Sequence, residues 1–184
     1  MELTAWEGSL GRHWAGPNEY REIVEIGAVR TDTEKKGAQD QYFSALVLPV
    51  KNPQLSDYFI NLTGISQQKL EGEGLSLSAA LKVFADFSSG VSDFFAYGED
   101  GDIIAENCGF QSLRNPFAAC GMINARAAIT KAYGLGASIT SANLPAATGL
   151  EQSGGNLQAH KALDDARAIA QVLVPLLQTP GFRL

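Results

Sequence analysis

The chain has 184 residues, 45% hydrophobic and 18% charged, a balance that predicts one globular domain over residues 1–184, large enough to bury roughly 70% of its unfolded surface without a staple. Its two cysteines, Cys108 and Cys120, lack paired spacing, which argues against a disulfide framework or zinc site, and no leader or apolar run of ~18 residues appears; a cytoplasmic, non-membrane protein is expected. A net charge of −6 disfavours a protein that coats long nucleic acid, but not one that grips a few nucleotides through metal ions.

Along the chain, "MELTAWEGSL" reads as an opening strand that carries the carboxylate of Glu2, followed by a loop with three glycines and a proline. Residues 21–31 and 41–50 are rich in β-branched and aromatic residues and predict two strands. The polar stretch between them suits a hairpin, so the two are expected to be antiparallel neighbours. From Leu55 to Leu70 the pattern is helical with an interruption at Gly64, and residues 76–87 repeat apolar positions at helical spacing. A strand follows over 91–98, then a helix opening on the acids of "DGDIIAENC". Residues 122–134 predict a helix ending in glycine, and "GASITSANLPAATGLEQSGGN" a small-residue connector with one short helix. The last helix is expected from about Ala159 to Val174, kinked or ended by Pro175. Strands first and helices later make this an α/β domain with a mixed sheet.

In "HKALDDARAIAQVL", Leu163, Ala166, Ala170, Leu173 and Leu177 mark the expected core stripe. Asp165 heads an adjoining row with Ile169 and Val172 and leans to the apolar side; Asp164 heads the row of Ala168 and Gln171, expected to face water. Adjacent aspartates on a helix ordinarily mark a solvated face. A carboxylate near an apolar face is costly unless paired or metal-bound, so Asp165 is the one that needs a partner. His160 lies about 140° from Asp165 around an ideal helix, which suits a histidine at the helix entrance. Asp100 and Asp102 stand where a strand runs into a helix start, as helix caps or as a ligand-binding edge.

Taken together, "ELTAWEGS", "REIVEIGAVR", "NLTGIS", "YGEDGDIIAENC" and "HKALDDARAIAQVL" resemble the DEDDh 3′–5′ exonucleases of the ribonuclease H-like fold, in the branch around the histone-mRNA exonuclease and its bacterial relatives. The resemblance implies a mixed five-stranded sheet flanked by helices, with the first strand truncated. Glu2 matches the glutamate of the family's Asp-x-Glu motif, Asp165 the final metal-binding aspartate and His160 the general base. The middle aspartate matches Asp100 by its spacing to Cys108; spacing from Gly98 leaves Asp102 open. Leu3 and Thr4 fall where the family lays backbone against the terminal nucleotide, and Trp6 and the segment from Leu62 to Ile65 where apolar groups wedge its base.

One position departs from the pattern. The family's aspartate two residues before Glu2 would precede Met1, and residues i and i+2 of a strand share a face. The expectation is a start codon chosen late; the alternative is a noncatalytic nucleic-acid-binding relative. The implied cofactors are two Mg²⁺ or Mn²⁺ ions and the implied partner a single-stranded RNA or DNA 3′ end, cut to nucleoside 5′-monophosphates. Oligomeric state and the choice between RNA and DNA are not legible in the sequence.

Overall fold

The longest strand, β2 (Ile23–Arg30), is built of apolar and β-branched residues broken by Gly27. The structure is a computed structural model and describes residues 1–35, 39–136, 138–150 and 157–184. On one edge β2 pairs antiparallel with β3 (Gln41–Leu46), from Glu25 opposite Leu46 to Arg30 opposite Gln41, as the hairpin expectation requires. On its other edge lies β1 (Glu2–Leu3), with Glu2 opposite Glu25, Leu3 opposite Ile23 and a bulge between the two pairs. Two more strands, β4 (Phe95–Ala96) and β5 (Ile123–Asn124), pair parallel in a sheet of their own.

The fold class is the expected mixed α/β one, and its five strands are present in two sheets rather than one. The physical reason is the length of β1. Two residues satisfy β2 only as far as Glu25, and among the described residues no strand joins β2 to β4. The expected strand over 91–98 shrinks to Phe95–Ala96 because only that stretch has a partner.

Helices α1 (Asp57–Thr63), α2 (Gln67–Glu73) and α3 (Leu77–Phe87) each begin with a serine. The hydroxyls of Ser56, Ser66 and Ser76 accept hydrogen bonds from the N–H groups of Phe59, Lys69 and Ala79. Gly64 closes α1 at φ 69°, a left-handed backbone that glycine adopts without penalty. Then follow α4 (Asp100–Phe110), α5 (Arg126–Tyr133), a 3₁₀ turn (Ser141–Asn143), α6 (Leu144–Thr148) and α7 (Ala162–Leu177). The expected helix over 122–134 starts late because Ile123 and Asn124 extend to pair with β4. Part of the expected connector, residues 151–156, lies outside the described residues. Helix α7 starts three residues later than expected, since His160 is left-handed (φ 61°) and Lys161 extended. It then runs through Pro175, which sits in the final turn where the lost N–H removes only one backbone bond.

Three apolar clusters hold these elements together. Ile23, Ile26, Leu81, Phe84 and Ile104 join β2 to α3 and α4; Tyr97, Ile129 and Leu144 pack against Val172 of α7; Val24, Phe59, Ile65 and Leu70 seat α1 and α2. Helix α7 rests directly on β2. A Cβ added at Gly27 would stand 2.2 Å from the backbone of Ala162 and Leu163, so only glycine permits this approach.

The buried face of α7 is Ala162, Ala168, Val172 and Leu173, not the expected stripe. Of that stripe only Leu173 is buried, because Ala166, Ala170 and Leu177 border a cavity of about 850 Å³ between β2 and β4 instead of packed side chains. The row expected to face water turns inward, with Ala168 fully buried and Gln171 Oε1 shielded and unbonded. Among the described residues no helix is long and apolar enough to cross a membrane.

Candidate active site

Three elements bring acids together at one sheet edge. Strand β1 supplies Glu2, the first residue of α4 is Asp100, and the first turn of α7 holds Asp165. The Met1 ammonium lies 3.3 Å from Asp100 Oδ1. Burial disfavours that ammonium, but Asp100, Glu2 and Asp165 outweigh it and hold the proton on. One cationic group is thus shared by three carboxylates.

Burial pushes the Glu2 carboxyl up to about 7; the Met1 ammonium pulls the other way, and the negative charges of Asp165 and Glu25 add to the rise. Burial also raises Asp165, offset in part by the ammonium, His160, Ser141 and Glu2. Glu2 and Asp165 are close enough for the proton of one to be shared with the other. Asp165 Oδ1 is nevertheless shielded from solvent with no hydrogen-bond partner. A carboxylate oxygen left so is costly, and oxygen donors of this kind are what hard divalent cations take. Donor chemistry and the orphaned oxygen both fit a divalent ion. Among the described residues, no three His, Cys, Asp or Glu side chains already stand at metal-holding separation.

The remaining expected residues separate into groups. Asp102 is exposed on α4 while Asp100 reaches the Met1 ammonium beside Glu2, so geometry favours Asp100 between the two. His160 is exposed at the entrance to α7, near enough to Asp165 for its charge to be felt there. Trp6 and Leu62 are half-buried and keep apolar surface open to a ligand. Ile65 is buried in the core against Phe59 and Leu70, and the half-buried Leu3, expected to offer its backbone to the terminal nucleotide, packs its side chain on the cluster around Ile23. Thr4 is also committed internally. Its hydroxyl donates to Tyr20 O at 2.5 Å and accepts from Glu22 N–H, while its carbonyl accepts from Trp14 Nε1 at 2.7 Å. A Cβ on Gly64 would lie 3.5 Å from Lys161 Nζ, so the Leu62–Ile65 turn stands beside the residue after His160.

Sequence reasoning passed over Glu25. Its Oε2 accepts from the Ala162 N–H at 2.9 Å and its Oε1 from the Ser44 hydroxyl at 3.1 Å. A buried carboxylate thus caps the first turn of α7, where the helix dipole favours negative charge, and sets the turn that carries Asp165. The signal was available as an acid in the middle of an apolar strand, paired across from Glu2.

Comparison with known proteins gives the family and the fold. An exonuclease (RNase T) family model matches residues 10–173. The chain is 28% identical to 3′-5′ exoribonuclease 1 of Mus musculus over 189 residues, covering 97% of this chain and 51% of that protein. It is 34% identical over 87 residues to the 3′-5′ exonuclease Snipper of Drosophila melanogaster, covering 47% of this chain and 29% of that one. It therefore spans about half the length, or less, of these curated relatives. The solved nuclease domain of 3′hExo, a DEDDh family member bound to rAMP, superposes with a TM-score of 0.76 at 26% identity, covering 92% of this chain and 88% of that one. That neighbour shares the ribonuclease H-like fold, and the family match leaves only short stretches at either end of the sequence outside it. The chain belongs to the exonuclease family.

Proposed function

We propose that this chain is a 3′–5′ exonuclease that hydrolyses the terminal phosphodiester of single-stranded or short RNA or DNA ends and releases nucleoside 5′-monophosphates. The observation that carries the reading is that Glu2, Asp100 and Asp165 surround one shared ammonium, with a buried oxygen of Asp165 lacking any donor. Two Mg²⁺ or Mn²⁺ ions held by these three carboxylates would supply charge neutralisation at the scissile phosphate. His160, at the solvent-facing entrance to α7, takes the proton of the attacking water as its oxygen adds to phosphorus. The P–O3′ bond breaks and the shortened strand leaves with a 3′-hydroxyl. The half-open apolar surfaces of Trp6 and Leu62 meet the terminal base, and the backbone of Leu3 and Thr4 runs along the terminal nucleotide.

The exoribonuclease relative and the rAMP-bound neighbour support RNA as the first substrate to try. Cysteine usage supports a cytoplasmic location. The test is digestion of 5′-labelled and 3′-labelled oligoribonucleotides with magnesium and with EDTA. The 3′ label should leave at once as a mononucleotide, the 5′ label should give a descending ladder, and EDTA should stop both. His160→Ala should lower kcat by about 10²–10⁴-fold with the Kd for a 3′ end little changed. Turnover that survives EDTA, release from the 5′ end, or no turnover with either ion would overturn the reading.

A further inference from the structure

The segment that carries Trp6 is bonded from behind at almost every backbone group. Thr4 N–H donates to Glu22 C=O at 2.8 Å, and Thr4 C=O accepts from the Trp14 indole at 2.7 Å. Ala5 C=O accepts from the Ser56 hydroxyl. Trp6 N–H donates to Ser9 Oγ at 2.8 Å, and Ser9 N–H returns a bond to Trp6 C=O at 2.9 Å. Ser9 itself is buried. What these bonds leave open is the half-buried Trp6 ring. That ring also borders a hollow of about 380 Å³ shared with Pro17, Asn52 and Pro53, room into which an unheld indole could swing.

The loop that reaches back to Thr4 adopts a costly backbone. His13 and Trp14 are consecutive non-glycine residues in the left-handed region, at φ 52° and φ 55°. Bulky L-residues rarely take this conformation, and it persists only where the surroundings over-determine it. Here they do. Trp14 N–H donates to Ser9 C=O at 2.9 Å. Arg12 braces both sides of the loop, donating to Glu7 C=O at 2.6 Å and to Glu19 Oε2 at 2.9 Å. The outcome of the strained turn is an indole N–H delivered to the Thr4 carbonyl, two residues before Trp6.

We propose that Trp14 is a positioning residue for the nucleobase at the 3′ end: through the Thr4 carbonyl it holds the Trp6 ring as a preset shelf on which that base stacks. This role rests on the exonuclease reading above and narrows its substrate to strands whose last residue carries a base. A shelf fixed before binding loses little freedom when the base arrives, so the stacking goes into affinity. Every nucleobase has a π-face, so the shelf senses the presence of a base rather than its identity.

The test uses oligoribonucleotides of one length that end either in adenosine or in an abasic ribose. They are digested with magnesium by the wild type, Trp14→Phe, Trp6→Ala and the double variant. The wild type should prefer the adenosine end by about tenfold or more in kcat/KM. Trp14→Phe keeps an aromatic ring and removes the indole N–H. It should raise KM for the adenosine end about fivefold and leave KM for the abasic end where it was. Trp6→Ala should bring the two ends level, and adding Trp14→Phe to it should change their ratio no further, since Trp14 acts through Trp6. A residue that only stabilises the fold would lower kcat/KM for both ends alike, and that result overturns the role given to Trp14. So does an unchanged ratio in Trp14→Phe, or an effect on the ratio that persists in the Trp6→Ala background. Should Trp14→Phe fail to fold, Ser9→Ala, which removes the acceptor of the Trp6 N–H, decides by the same ratio. A wild-type chain without turnover ends the exonuclease reading and this role with it. Turnover that is indifferent to Trp14→Phe ends this role alone.

Discussion

Glu25 shows how much one side chain does for the placement of others. It ties β3, through Ser44, to the first turn of α7, through Ala162, and both bonds are made inside the protein. Glu25→Ala leaves a buried N–H without an acceptor, a loss of about 1–3 kcal/mol, which for a chain of this size lowers Tm by roughly 5 °C. Glu25→Gln keeps one acceptor oxygen and should lose less than half as much. Calorimetry on the two variants checks this, and equal losses would mean that the Ala162 bond contributes nothing. Some residue-level features were legible beforehand. The helical period placed Asp165 rather than Asp164 against the apolar side, and its Oδ1 is indeed buried. Ile65 was not legible, because an isoleucine in a loop has the same composition signal whether it faces a ligand or the core, and packing against Phe59 decides it.

Among the elements, the α1–α2–α3 run was the most readable, since the helical spacing of its apolar residues and the break at Gly64 are local signals that tertiary packing did not override. Two of these caps differ in a way that predicts a difference in stability. Ser66 caps α2 at an exposed site, whereas Ser56 caps α1 and its hydroxyl also donates to Ala5 O beside β1. Ser66→Ala should cost about 1 kcal/mol, or roughly 3 °C in Tm. Ser56→Ala should cost up to about twice that, because it frees the chain leaving β1 as well; denaturant midpoints that rank the two the other way would refute it. Elements whose length depends on a distant partner were the unreadable ones. Strand β4 is cut to two residues because only Phe95–Ala96 finds a partner, and Ile123–Asn124 is drawn out of a helical pattern by its pairing with β4. The late start of α7 follows from the left-handed backbone of His160, a conformation no periodicity reveals.

At the scale of the molecule, the fold class was readable from the order of strands and helices, while the split of the sheet was not, because sheet continuity is settled by pairing across the whole chain. Global stability should depend on pH through Glu2. Its folded-state value of about 7 lies above the ordinary 4.5, so the folded chain keeps a proton that the unfolded chain gives up between those values. The contribution of Glu2 to the stability of the metal-free protein therefore falls as pH rises from about 4.5 to 7, by up to about 3 kcal/mol, and levels off above that. Denaturant titrations in EDTA should show the decline, and Glu2→Gln should flatten it; an unchanged slope would assign the pH dependence to another group. Seating α7 on β2 at Gly27 has a further outcome. Asp165 rides on the first turn of α7 and His160 stands two residues ahead of that helix, while the backbone of Ala162 and Leu163 between them lies directly against Gly27 of the sheet. In the proposed reaction, any loosening of this one joint would displace the general base and the metal-binding acid together.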